Sequence, residues 1–81
     1  MRIRFKLYAL LSDYLPSGAL ANQLEIEVPE GITPEEVART YKVPRKLIHT
    51  ILVNGVYIDP DQHDKYLLTE GDVLAMWPLV G

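Results

Sequence analysis

The chain has 81 residues, 48% of them hydrophobic, and a formal net charge of −3, which fits one small domain burying roughly 60% of its unfolded surface. It contains no cysteine, and this excludes disulfide staples, Cys-ligated zinc, Cys-bound iron–sulfur clusters and a thiol nucleophile. Net acidity argues against electrostatic nucleic-acid binding, and no apolar run approaches the roughly 20 residues of a membrane span.

Over residues 1–8, Met1, Ile3, Phe5 and Leu7 alternate with Arg2, Arg4, Lys6 and Tyr8. A period of two predicts a strand with one buried face. The same stretch lacks the apolar region of a signal peptide. Leu10, Leu11, Tyr14 and Leu15 have the spacing of one or two helical turns, which Pro16-Ser17-Gly18 ends. A second alternation places Leu24, Ile26 and Val28 inward and Glu25 and Glu27 outward. If the two strands are antiparallel neighbours, their basic and acidic outer faces pair. The basic stripe Arg2, Arg4 and Lys6 is then a solvated sheet face rather than a phosphate site.

Thr33-Pro34-Glu35-Glu36 has the form of a capping box with proline at the first helical position. Val37, Ala38 and Tyr41 give the helix a short apolar face, and Pro44 limits it to little past Lys42. Residues 45–53 are expected to form a strand with Ile51 and Val53 on one face. Asn54-Gly55 is the signature of a tight type I′ hairpin, with Val56-Tyr57-Ile58 returning. Residues 59–65 read as a polar loop. Glu70-Gly71-Asp72 is a turn signal before a last strand, Val73–Trp77, which Pro78 stops. The order β-β-α-β-β-β describes an α+β domain with one sheet packed on one helix.

Few groups in this chain have a pattern that carries chemistry. Asp59, Asp61 and Glu70 match positions 1, 3 and 12 of a calcium loop, but Asp64 stands where the sharp turn needs glycine, so no metal site is expected. His49 and His63 have no metal-ligand spacing, and Ser12 and Ser17 have no nucleophile context. Lys42, Arg45, Lys46 and His49 form a basic cluster after the helix. The plainer reading is charge complementing the helix dipole; the sharper one is a docking contact for an acidic partner. Met76 and Trp77 are consecutive in a strand, so one faces outward. That side chain is either edge packing or a partner-binding anchor, since both residue types are favoured in interfaces. No self-contained active site emerges.

The succession of these signals carries a resemblance. A first strand, a loop near Tyr14-Leu15-Pro16, the helix entry Val28-Pro29-Glu30-Gly31, Val53-Asn54-Gly55, then Leu68-x-x-Gly71-Asp72 and a final glycine resemble the MoaD/ThiS family of ubiquitin-like sulfur carrier proteins. The likeness covers essentially the whole chain, and its length is nearer the MoaD branch. It implies a ubiquitin-like β-grasp fold, a mixed sheet packed on one main helix, with a domain over residues 1–77 and a flexible tail over 78–81. It also implies that the chain is a carrier rather than an enzyme. An E1-like adenylating enzyme would activate the Gly81 carboxylate with ATP, so that the carrier itself binds no cofactor. Sulfur would then replace AMP to give a thiocarboxylate. The acceptor would be a synthase subunit, MoaE-like or thiazole-synthase-like, and molybdopterin or tungstopterin biosynthesis the destination.

On this resemblance Gly81 is the reacting residue, and Met76, Trp77, Pro78, Leu79 and Val80 are partner contacts, in a cytoplasmic protein that binds neither nucleic acid nor membrane. Family members usually end in Gly-Gly, whereas this tail is Pro78-Leu79-Val80-Gly81. One or two residues of missing reach correspond to roughly 3–7 Å. Two other readings stay open. One is a β-grasp interaction module without carrier chemistry; the other, which the net acidity disfavours, is an RNA-associated β-grasp module.

Overall fold

The computed structural model describes residues 1–79. Five strands form one mixed sheet: β1 (Arg2–Leu7), β2 (Gln23–Glu27), β3 (Thr50–Val53), β4 (Val56–Tyr57) and β5 (Val73–Trp77), in the order β2-β1-β5-β3-β4. β5 is central. It runs parallel to β1 and antiparallel to β3. The single α-helix, α1 (Pro34–Thr40), packs its Val37 and Ala38 into the core on one face of the sheet. This is the α+β layout expected from the order of elements, and the β-grasp arrangement that the resemblance implied.

The alternating pattern sets the layers. Ile3, Phe5 and Leu7 of β1, Ile26 of β2, Ile51 and Val53 of β3, and Leu74 and Met76 of β5 are all buried together. Phe5 meets Tyr41, just past the helix, with ring centroids 5.5 Å apart. The outer face carries the charges. β1 and β2 pair antiparallel with Arg2 opposite Glu27 and Arg4 opposite Glu25. Arg2 takes both glutamates, at 3.3 Å and 3.4 Å, while Arg4 reaches Gln23. These exposed pairs add little stability, and within the basic stripe they engage Arg2, while Arg4 meets a neutral amide.

Local signals explain both ends of α1. The Thr33 hydroxyl accepts from the Glu36 N–H, and Glu36 Oε1 accepts from the Thr33 N–H. The C-terminus closes by a Schellman motif: the Val43 N–H donates to Ala38 O, and the Lys42 N–H to Arg39 O. The residue in the left-handed position is Lys42, at φ +60°, where glycine is the usual occupant.

Two expectations change. The strand read over residues 45–53 is confined to Thr50–Val53. Arg45–Leu47 is instead a 3-10 turn, because Pro44 leads into a bend whose Leu47 N–H donates to the Pro44 carbonyl. The polar loop also contains a 3-10 turn at Pro60–Gln62, and the Glu35 N–H binds the His63 carbonyl, holding the loop beside the helix. A third 3-10 helix, Ala9–Tyr14, supplies the expected helical turns after β1.

The two turn signals of the sequence prove to be one structure. Asn54 and Gly55 both have positive φ, at 52° and 81°, as a type I′ turn requires. The Asn54 side chain donates to Asp72 Oδ1 at 2.9 Å and accepts from the Val73 N–H at 2.8 Å. The other carboxylate oxygen of buried Asp72 accepts from the Thr69 N–H at 2.8 Å. This latch fixes where β5 begins.

Two stability predictions follow from these contacts. Replacing Lys42 by glycine relieves the left-handed strain and is expected to stabilise the domain by roughly 0.5–1 kcal/mol in urea unfolding. Asp72→Ala leaves the Asn54 amide and Thr69 N–H without their acceptor and is expected to cost about 1–3 kcal/mol in the same measurement.

Candidate partner site at the root of the tail

β5 leads the chain to the rim of the sheet at Trp77. The parallel register pairs Leu7 with Met76, so Tyr8 comes beside Trp77 one step further on. Both side chains lie on the outer face, in line with Lys6 and Ala75. Their rings stack with centroids 4.2 Å apart and planes 5° from parallel. Stacked aromatic pairs contribute about 0.5–1.5 kcal/mol beyond the area they bury. Main-chain bonds hold the same point from both sides. The Tyr8 N–H donates to Met76 O at 3.1 Å, and the His49 N–H donates to Trp77 O at 2.8 Å. Pro78 has no N–H and ends the ladder.

The expected contact residues divide. Trp77 is half-buried, and Leu79 is 72% exposed. Met76, expected among the partner contacts, belongs to the core instead: it is wholly buried between β1 and β3. The parallel register beside β1 decides this: Leu74 and Met76 pair with Phe5 and Leu7 and share their inner face. Pro78 is also buried, so the packed part of the chain extends one residue beyond the expected limit of 77. Val80 and Gly81 lie outside the described residues, so the contact expected of Val80 and the reaction expected of Gly81 are not placed by the structure.

Tyr8 is the residue that sequence reasoning missed. Its place on the outer face was legible, but its meeting with Trp77 needs the parallel pairing of the first and last strands. The arrangement can do two things. It carries Pro78 and Leu79 off the middle strand of the sheet, and it sets a half-buried aromatic pair beside them. The calcium-loop residues do not assemble: among the described residues, no three His, Asp or Glu side chains come together as a metal-ligand group. No helix among them is long and apolar enough to cross a membrane.

No family model matches this sequence, and no curated protein does either. Solved structures do match over the whole chain. The complex of subunits 1 and 2 of molybdopterin-converting factor from Helicobacter pylori 26695 contains a chain 15% identical, with a TM-score of 0.64, covering 100% of this chain and 97% of that one. Small archaeal modifier protein 1 of Haloferax volcanii is 17% identical, with a TM-score of 0.69 and 98% coverage of both chains. A putative molybdopterin converting factor, subunit 1, from Pyrococcus furiosus is 23% identical, with a TM-score of 0.62 and 98% coverage of both. In fold, therefore, the chain is a ubiquitin-like β-grasp domain.

Trp77 is the sole tryptophan, so its stack can be read directly. Tyr8→Ala is expected to red-shift Trp77 emission in the folded protein and to lower stability by about 1 kcal/mol beyond the effect of lost area. A double-mutant cycle with Trp77→Ala separates that coupling from burial.

Proposed function

We propose that the chain is a sulfur carrier protein acting in the cytoplasm, with its Gly81 carboxylate as the reacting group, for the biosynthesis of molybdopterin or tungstopterin. The observation that carries this reading is the end-to-end match to chains of molybdopterin-converting factor, combined with a central strand that ends beside a half-open aromatic pair. A carboxylate is a poor electrophile. An E1-like enzyme would join a Gly81 oxygen to the α-phosphorus of ATP, releasing pyrophosphate. Sulfide supplied by a sulfur donor would then attack the acyl carbon, AMP would leave with the C–O bond broken, and a thiocarboxylate would remain. The carrier's own part is geometric. Pro78 keeps the tail out of the ladder, glycine lets it pass a narrow channel, and Trp77, Tyr8 and Leu79 give a partner apolar contact at its base. The partner pair this implies is the activating enzyme, which uses the ATP, and a MoaE-like synthase subunit. The latter is supported by the Helicobacter pylori complex of subunits 1 and 2.

The higher TM-score of 0.69 to small archaeal modifier protein 1 favours a second reading. The same activated carboxylate would pass to an amine of another protein, forming an amide as AMP leaves.

Intact-mass spectrometry tests both. The chain, and a form lengthened by one glycine, are incubated with ATP, an E1-like enzyme and a sulfur donor. The carrier reading expects at least the lengthened form to gain the mass of one sulfur in exchange for one oxygen, and a variant lacking the terminal glycine to gain none. Amide-linked adducts without sulfur exchange support the modifier instead. Neither product in either form overturns both readings and leaves an interaction module.

A further inference from the structure

We propose that the groove beside the C-terminal end of α1 is a docking site for an acidic segment of a partner protein, one that presents an apolar side chain flanked by carboxylates. This goes beyond the carrier reading and does not depend on the chemistry of the tail. The groove encloses about 590 Å³ between α1 and the 3-10 turns at Arg45–Leu47 and Pro60–Gln62, a size that accepts a ligand or several side chains. Ala38, Val43, Ile48 and Ile51 provide apolar lining, and Arg39, Lys42 and Arg45 provide cations.

Charge selects the occupant. Among the lining residues, Glu35 is the one carboxylate. It is already engaged, at 3.3 Å from Arg39 Nη2 and 3.1 Å from Arg45 Nε, and its side chain is only 16% exposed. Lys42 makes no ion pair among the described residues. A cationic groove on a chain of net charge −3 favours an acidic partner at this place.

Lys42 sharpens the point. It occupies the helix-ending position that glycine fills most easily, at φ +60°. The strained residue is also the groove's unpaired cation, and such outliers motivate a functional reading. A small anion fits the groove less well. It would leave the apolar lining unused. A segment with a leucine-like side chain on the lining and carboxylates near Lys42 and Arg45 uses both. The groove also reaches His49, whose N–H holds the Trp77 carbonyl at the root of the tail. A partner seated there would be next to the departing chain end.

The test uses the full chain, labelled with nitrogen-15. It is titrated with a blocked peptide Glu-Asp-Leu-Leu-Asp-Glu, with the same peptide carrying lysines for its acids, and with inorganic phosphate. The expected result is saturable amide shifts centred on Ala38, Lys42, Val43, Ile48 and His49, from the acidic peptide alone. Lys42→Gly is expected to bind the acidic peptide about fivefold more weakly while unfolding at higher denaturant, so a loss of fold cannot explain the weaker binding. The double variant Lys42→Glu, Arg45→Glu, checked for a native amide spectrum, is expected to lose the acidic peptide and accept the lysine one. Three results would overturn the proposal: no saturation at millimolar peptide, shifts confined to the open sheet face, or the same shifts from phosphate at equal concentration.

Discussion

The parallel pairing of the last strand with the first, in the middle of the sheet, is the constraint on which the rest of this molecule depends. β5 has β1 on one side and β3 on the other, so the chain cannot finish its core until its final residues arrive. Two buried side chains of β5, Leu74 and Met76, then fill the space between Phe5, Leu7, Ile51 and Val53. Parallel neighbours cannot be joined by a tight turn, and everything between β1 and β5 acts as the crossover. The helix, the hairpin and the polar loop are therefore packed by one late strand. Such a fold accumulates contacts between residues distant in sequence, which is costly in loop-closure entropy.

That same pairing determines where Trp77 and Pro78 leave the sheet. The Asn54–Asp72–Thr69 latch fixes the start of β5. The parallel register fixes its end, beside Tyr8. A one-residue slip would exchange the two faces of β5, putting Trp77 in the core and Met76 outside. The buried carboxylate of Asp72 is thus more than a satisfied polar group, since it holds the register that places Trp77 and the tail. Its two hydrogen-bond donors, the Asn54 amide and the Thr69 N–H, come from two different turns, and each bond would be weak without the other in place.

The groove and the end of β5 meet at the segment that joins helix to sheet. Ile48 and His49 line the groove, while the His49 N–H secures Trp77. A ubiquitin-like domain of this size thereby offers two kinds of surface near one strand end. One is aromatic and sits on the outer face; the other is cationic over apolar and sits beside the helix. A partner that recognises both would read shape and charge together, which confers specificity beyond what buried area supplies.

Periodicity and local chemistry were legible from the residues themselves. The inner face of β1, the capping box at Thr33, the Asn54-Gly55 hairpin and the bounds of β5 depend on neighbours within a few positions, and the β-β-α-β-β-β order follows from them. The start of β3 was not legible, because the bend at Arg45–Leu47 depends on Pro44 and on packing rather than on alternation. Nor was the burial of Pro78, or which of Met76 and Trp77 faces the core, since alternation alone leaves the choice of face open. The chain by itself determined its elements, its lack of thiol chemistry and its proline-led tail. Only the tertiary structure decided that Tyr8 stacks on Trp77, that Asn54 and Asp72 hold one latch, and that Lys42 stands on a groove. Each of these joins residues whose separation along the chain carries no signal until the first and last strands pair.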